Sequence, residues 1–179
     1  MATAAAIAAV VAGTAAVQPS DARAGSAAAA PVRPPDADAA AYPVDCGPVR
    51  LDVVDRVSGD LDGDGRPETV AVVRCHAESG TPPSGIYVLA IPRGKKSGKP
   101  GRTTEKGARP PRVVATFLDP KERMSVQGLA LRGATVSATL LGYSSDQVPR
   151  CCPDMRRSVS WRWKDGGFVL RALRAPGSV

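Results

Sequence analysis

Eight short runs of strand character, each bounded by Gly, Pro, Asp or Ser, limit this chain more than any other feature of its sequence. They lie near Val49 to Val57, Thr69 to Cys75, Gly85 to Ile91, Val113 to Leu118, Ser125 to Leu131, Ala134 to Leu141, Ser158 to Lys164 and Phe168 to Leu173. Across the region these runs occupy, no stretch holds apolar residues at helical spacing for three turns, which argues against helical bundles and alternating βα architectures. The expected fold is therefore all-β, a single small antiparallel sandwich or barrel of about eight strands. Arg132-Gly133 and Asp165-Gly166-Gly167 suit tight hairpin turns, because glycine reaches positive φ without steric cost. In the last hairpin, strand alternation puts Val159, Trp161 and Trp163 on one face and Ser160, Arg162 and Lys164 on the other, so the tryptophans are expected in the core rather than as a ligand platform.

The 179 residues suit one domain with extensions. Much of the 43% apolar content is alanine near the N-terminus, and aromatic residues are only 4%, so the core is modest and disulfides or a metal would supplement it. Residues 1–24 resemble a signal peptide, with an apolar run from Ala4 to Val17 and a small-x-small site at Ala22-Arg23-Ala24, although no Lys or Arg precedes the run. An exported protein, extracellular or in the cell envelope, is expected, with no transmembrane helix in its mature chain. Residues 25–43 are mostly Ala, Pro and Asp without periodicity and read as a disordered leader to a β domain over 44–179.

A second stretch without periodicity, residues 93–112, reads as a flexible basic insertion. Its eight basic residues against Glu105 give +7, the net charge of the whole chain, so the remainder is balanced. Lys95, Lys96, Lys99, Arg102, Lys106 and Arg109 could attract a polyanion such as an envelope polymer through screened, nonspecific electrostatics. The insertion has no aromatic residue on which bases could stack, so no specific nucleic-acid partner is expected.

The sharpest chemical signal is Asp60-Leu61-Asp62-Gly63-Asp64-Gly65-Arg66-Pro67-Glu68, with carboxylates at loop positions 1, 3, 5 and 9 and glycine at position 6. Alternating carboxylates on a tight loop converge on one hard cation, and calcium takes six to eight oxygens of this kind. An EF-hand would need an acidic residue at position 12, where Ala71 stands, and helical flanks, where strands are expected. Gly59 to Glu68, followed by Thr69-Val70-Ala71-Val72-Val73, resembles an FG-GAP repeat, in which such a loop joins two strands and binds calcium. That resemblance implies Asp60, Asp62, Asp64 and Glu68 as side-chain ligands and Arg66 as a carbonyl ligand. The family repeats the unit around a propeller, whereas this chain has one copy, so a propeller is not expected.

Cys46, Cys75, Cys151 and Cys152 are an even set in a chain expected to be exported, which makes disulfides the default. Pairing Cys46 with Cys75 would force adjacent cysteines into a vicinal ring, so crossing pairs are expected, joining the acidic hairpin to the C-terminal strands. Zinc is not expected, since no Cys-x-x-Cys spacing occurs. The segment from Gly142 through Cys151-Cys152-Pro153 to Trp163 is similar to the ending of secreted actinobacterial proteins of the LppP/LprE lipoprotein-like family. That resemblance implies no activity, and the lipid-attachment cysteine of a lipoprotein is missing.

Catalysis is not expected: His76 is the single histidine, and no Gly-x-Ser-x-Gly elbow accompanies it. The leading expectation is a calcium-stabilised extracellular or cell-envelope binding or structural module. Its partner is unknown, an envelope polymer or an extracellular protein. Alternatives are a secreted polyanion binder acting through residues 93–112 and a small protease inhibitor presenting Pro149 to Arg157.

Overall fold

A computed structural model describes residues 32–93, 109–149 and 151–173. The eight expected strands all form: β1 Leu51–Gly59, β2 Glu68–Cys75, β3 Ser84–Ala90, β4 Arg112–Leu118, β5 Ser125–Arg132, β6 Thr135–Gly142, β7 Met155–Lys164 and β8 Gly167–Ala172. They make two four-stranded antiparallel meanders, β1-β2-β3-β4 and β5-β6-β7-β8. The result is a sandwich rather than a closed barrel. Asp165 (φ 51°) and Gly166 (φ 82°) both take positive φ in the β7–β8 turn, the backbone that matches strand twist in a two-residue hairpin.

Alternation decides which side chains meet between the sheets. Val70 and Val72 of β2 and Ile86 and Val88 of β3 point inward against Val136, Val159 and Trp161 of the other sheet, and all seven are at most 3% exposed. Trp161 is thus a core residue, as alternation predicts, while Trp163 is half-buried. One lateral edge of the sandwich closes tightly, where a side chain on Gly59 of β1 would come within 2.7 Å of Leu131 Cδ2 in β5. At the opposite edge, aromatic rings bridge β4 to the second sheet: Phe117 stacks on Trp161 with centroids 4.8 Å apart and meets Phe168 of β8 edge to face at 4.9 Å.

The outer face of the first sheet is also buried, and this corrects the reading of residues 25–43 as disordered throughout. From Val32 onward the leader is ordered. A 3-10 turn at Ala37–Ala39, N-capped by Asp36, lays Ala37, Ala40, Tyr42 and Val44 over Ala71, Val73, Tyr87 and Leu89. Thr69 Oγ1 donates to Pro35 O at 2.7 Å, Tyr42 Oη donates to Ala37 O at 2.8 Å, and Arg56 pairs with Asp38 at 2.6 Å. Burial pushes the Tyr42 hydroxyl up from 10.0 to about 12, helped by the nearby Asp38 charge. Residues 1–24, expected as a signal peptide, lie outside the described residues.

The cysteine pairing also differs from expectation. Cys46 bonds Cys75 across a Cα–Cα distance of 5.4 Å, and Cys151 bonds Cys152, so the crossing pairs do not form. The physical reason is the meander: the segment leading into β1 runs beside the end of β2, where Leu51 faces Cys75, whereas Cys151 and Cys152 lie between β6 and β7 of the other sheet. Ser144 fastens that connection by donating to Asp154 through its backbone N at 2.8 Å and through its hydroxyl, which hold the Asp154 carboxyl below its usual range. Met155 to Arg157, the end of the segment considered as an inhibitory loop, is already strand β7, paired with Gly142 to Leu140.

Candidate metal site and adjoining cleft

The acidic loop connects β1 to β2, and its shape follows from its own sequence. Asp60 accepts from the backbone N–H of Gly63 at 2.7 Å and of Gly65 at 2.9 Å, wrapping the chain around its carboxylate. Gly63 (φ 81°) and Gly65 (φ 82°) sit in the left-handed region that this wrapping requires. Asp62 accepts from Asp64 N at 3.0 Å, and Asp64 from Arg66 N at 2.9 Å. Between the exposed carboxylates of Asp60 and Asp62, the Leu61 side chain turns inward into the sandwich core and is 1% exposed. The loop is therefore pinned at its second residue.

Opposite this turn stands Glu68, the first residue of β2, only 7% exposed. Its Oε2 accepts from Leu61 N at 2.9 Å. Burial raises its carboxyl above the usual range against that hydrogen bond, and the charges of Asp62, Asp64 and Asp60 push the same way. One carboxylate oxygen from each of Asp60, Asp62 and Glu68 lies within 4.8 Å of the others, a group that can hold a metal ion. Asp64, the fourth expected side-chain ligand, turns away and pairs with Arg93, which holds its carboxyl below the usual range. The Arg66 guanidinium reaches Ile91 O at 3.2 Å.

Of the polyanion candidates, Lys95, Lys96, Lys99, Arg102 and Lys106 lie outside the described residues. Arg109 donates to Arg93 O at 3.3 Å, bringing the two ends of the insertion together. His76 meets Asp52 at 2.7 Å, and Arg50 meets the same carboxylate at 2.8 Å, so the histidine fastens the end of β2 to the start of β1. Together these partners hold Asp52 below its usual range, with the His76 hydrogen bond the larger influence.

Beside the acidic loop a cleft of about 770 Å³ opens along the ring-bridged edge of the sandwich. Phe117, Trp161, Trp163 and Phe168 line one part of it, and the loop with Arg93 and Arg112 lines another. Sequence reasoning missed this cleft, because it depends on β4 and β8 being the paired open edges of two separate sheets. The alternation Val159-Trp161-Trp163 was the available signal, since the face that fills the core at Trp161 reaches the rim one step later.

No protein-family model, curated protein or solved structure matches the chain. Among the described residues, no helix is long and apolar enough to cross a membrane.

Proposed function

We propose that the chain is a calcium-stabilised binding or structural module that works outside the cell or in its envelope. The observation that carries this reading is the convergence of Asp60, Asp62 and Glu68 on one small volume at the root of a hairpin. An all-carboxylate set without His or Cys suits a hard cation, and a loop that bends through two glycines suits the flexible coordination of calcium better than the strict octahedron of magnesium. A cation there would neutralise the mutual repulsion of three carboxylates, one of them buried. The strand-loop-strand setting is compatible with the FG-GAP-like reading of the loop, and the Cys46–Cys75 bridge is compatible with an oxidising compartment.

The test is thermal unfolding of the oxidised protein in 10 mM calcium and in EGTA, where these concentrations are experimental choices of about that size. For an extracellular-type dissociation constant of about 10⁻⁴ to 10⁻³ M, mass action gives about 1.4 to 2.7 kcal/mol of stabilisation. At about 2–4 °C per kcal/mol, the melting temperature rises by about 3–11 °C in calcium. An Asp60→Asn, Asp62→Asn variant loses that rise. Equal melting of the parent protein in calcium and EGTA would remove calcium from the account.

A further inference from the structure

The cleft joins the core rings to the acidic loop, and it adds groups, the half-buried Trp163 and the exposed Arg112 among them, that neither the metal site nor the core uses. Rings from three strands gather along one part of it, with Trp163 and Phe168 in edge-to-face contact at 4.8 Å and both only half-buried. A well-packed sandwich of this size has no need to leave Phe117, Trp163 and Phe168 half-buried along an open cleft, with their apolar area partly in water, beside the core residue Trp161. The remaining wall carries three carboxylates, Asp62, Asp64 and Glu68, and three guanidiniums, Arg66, Arg93 and Arg112. Most of these are held in place by the protein: Asp64 by Arg93, Glu68 by Leu61 N and Arg66 by Ile91 O. Arg112, at the start of the edge strand β4, is exposed.

We infer that this cleft binds a short stretch of a neutral polysaccharide. A sugar ring presents a face of C–H groups to an aromatic surface and a rim of hydroxyls around it. Each hydroxyl both donates and accepts, so neighbouring hydroxyls bridge a carboxylate acceptor and a guanidinium donor such as those grouped on this wall. Without calcium the three acidic and three basic groups balance, which matches a neutral chain rather than a polyanion. The volume of about 770 Å³ lies within the range of roughly 300–1,000 Å³ typical of small-molecule sites. Addition of a peptide strand to β4 suits the cleft less well, because two register shifts in the β3–β4 ladder, at Ile86/Tyr87 and Val88/Leu89, break the regular edge that such pairing uses. The inference rests on the protein being a binding module but not on its calcium.

Trp161 and Trp163 are the chain's two tryptophans and both line the cleft, so their fluorescence reports its occupancy. The full chain is titrated with cellohexaose, xylohexaose, mannohexaose and an arabinogalactan preparation, with hyaluronan and a Val/Thr-rich extended peptide as comparators, each in calcium and in EGTA. A saturable change with at least one of the neutral glycans is expected. It persists in EGTA, which separates this inference from the calcium reading. Trp163→Ala weakens the binding by about 3- to 10-fold, as loss of one aromatic contact requires. Arg112→Ala, at an exposed position that does not carry the fold, weakens it by about 2- to 10-fold through loss of one hydrogen-bonding group. No saturable response to any of the neutral glycans overturns the inference, as does binding that both variants leave unchanged. A response to hyaluronan alone would assign the surface to polyanions, and a response to the peptide alone to strand addition, and either result overturns it.

Discussion

Leu61→Ala is the perturbation that best tests how the loop is built. Leu61 lies between two aspartates of the acidic loop, yet its side chain is 1% exposed and packs in the main core with Val70, Val72 and Leu118. Truncating a fully buried leucine costs about 2–5 kcal/mol, from lost transfer free energy and the cavity left behind. Taking about 3 kcal/mol and about 2–4 °C per kcal/mol, the melting temperature in EGTA falls by about 6–12 °C. Leu61→Met, which conserves volume, costs less than about 1.5 kcal/mol. The assay is far-ultraviolet circular dichroism during heating, with urea unfolding as a second measure. Because the backbone N–H that Glu68 accepts from survives the substitution, calcium still binds, but to a looser loop with a smaller gain in stability. Melting of Leu61→Ala within about 2 °C of the parent would refute the pinned loop, since no cavity mechanism is that cheap at a fully buried site.

Glu68→Gln keeps an oxygen to accept from Leu61 N–H while removing a buried charge that three aspartates disfavour, so in EGTA the variant is no less stable than the parent but loses the calcium-dependent rise in melting temperature; a calcium rise equal to the parent's contradicts the ligand set. Peptide mapping of the oxidised protein recovers a Cys46–Cys75 link, and Cys46→Ala, Cys75→Ala costs about 3–4 kcal/mol for the long loop it opens, whereas Cys151→Ala, Cys152→Ala costs under about 1 kcal/mol because that bond closes almost no chain. Crossed peptides in the map would contradict the arrangement of the two sheets. Tyr42 is raised from 10.0 to about 12 in the folded protein, so its contribution to stability is complete below pH 10 and disappears as pH rises from there toward 12. Absorbance titration of tyrosinate then shows a late phase that Tyr42→Phe diminishes, the rest belonging to Tyr87, which burial also raises, and a late phase that Tyr42→Phe leaves unchanged would contradict a buried Tyr42 hydroxyl.

The strands were legible in the sequence because each is short, carries apolar residues at strand spacing and is bounded by turn residues, whose φ values match their use at Asp165-Gly166. The acidic loop was legible because its carboxylates are local, all within nine residues. What the sequence hid is non-local. Nothing in the strand order says that β1 to β4 form one sheet and β5 to β8 the other, and the disulfide partners depend on that division. The ordered leader was hidden by its composition, since Ala37, Tyr42 and Val44 follow no period. The signal lay elsewhere: Val70-Ala71-Val72-Val73 and Ile86-Tyr87-Val88-Leu89 are apolar on both faces, and a strand buried on both faces needs a second cover. The pairing of Asp64 with Arg93 was hidden because the two lie twenty-nine residues apart in sequence.

The central claim is that Asp60, Asp62 and Glu68 hold calcium, and calorimetric titration of the oxidised protein with calcium measures this directly. The account predicts a saturable heat for one site with a dissociation constant of about 10⁻⁴ to 10⁻³ M, absent from an Asp60→Ala, Asp62→Ala variant that retains its fold. No heat at millimolar calcium, or the same isotherm from parent and variant, would contradict it.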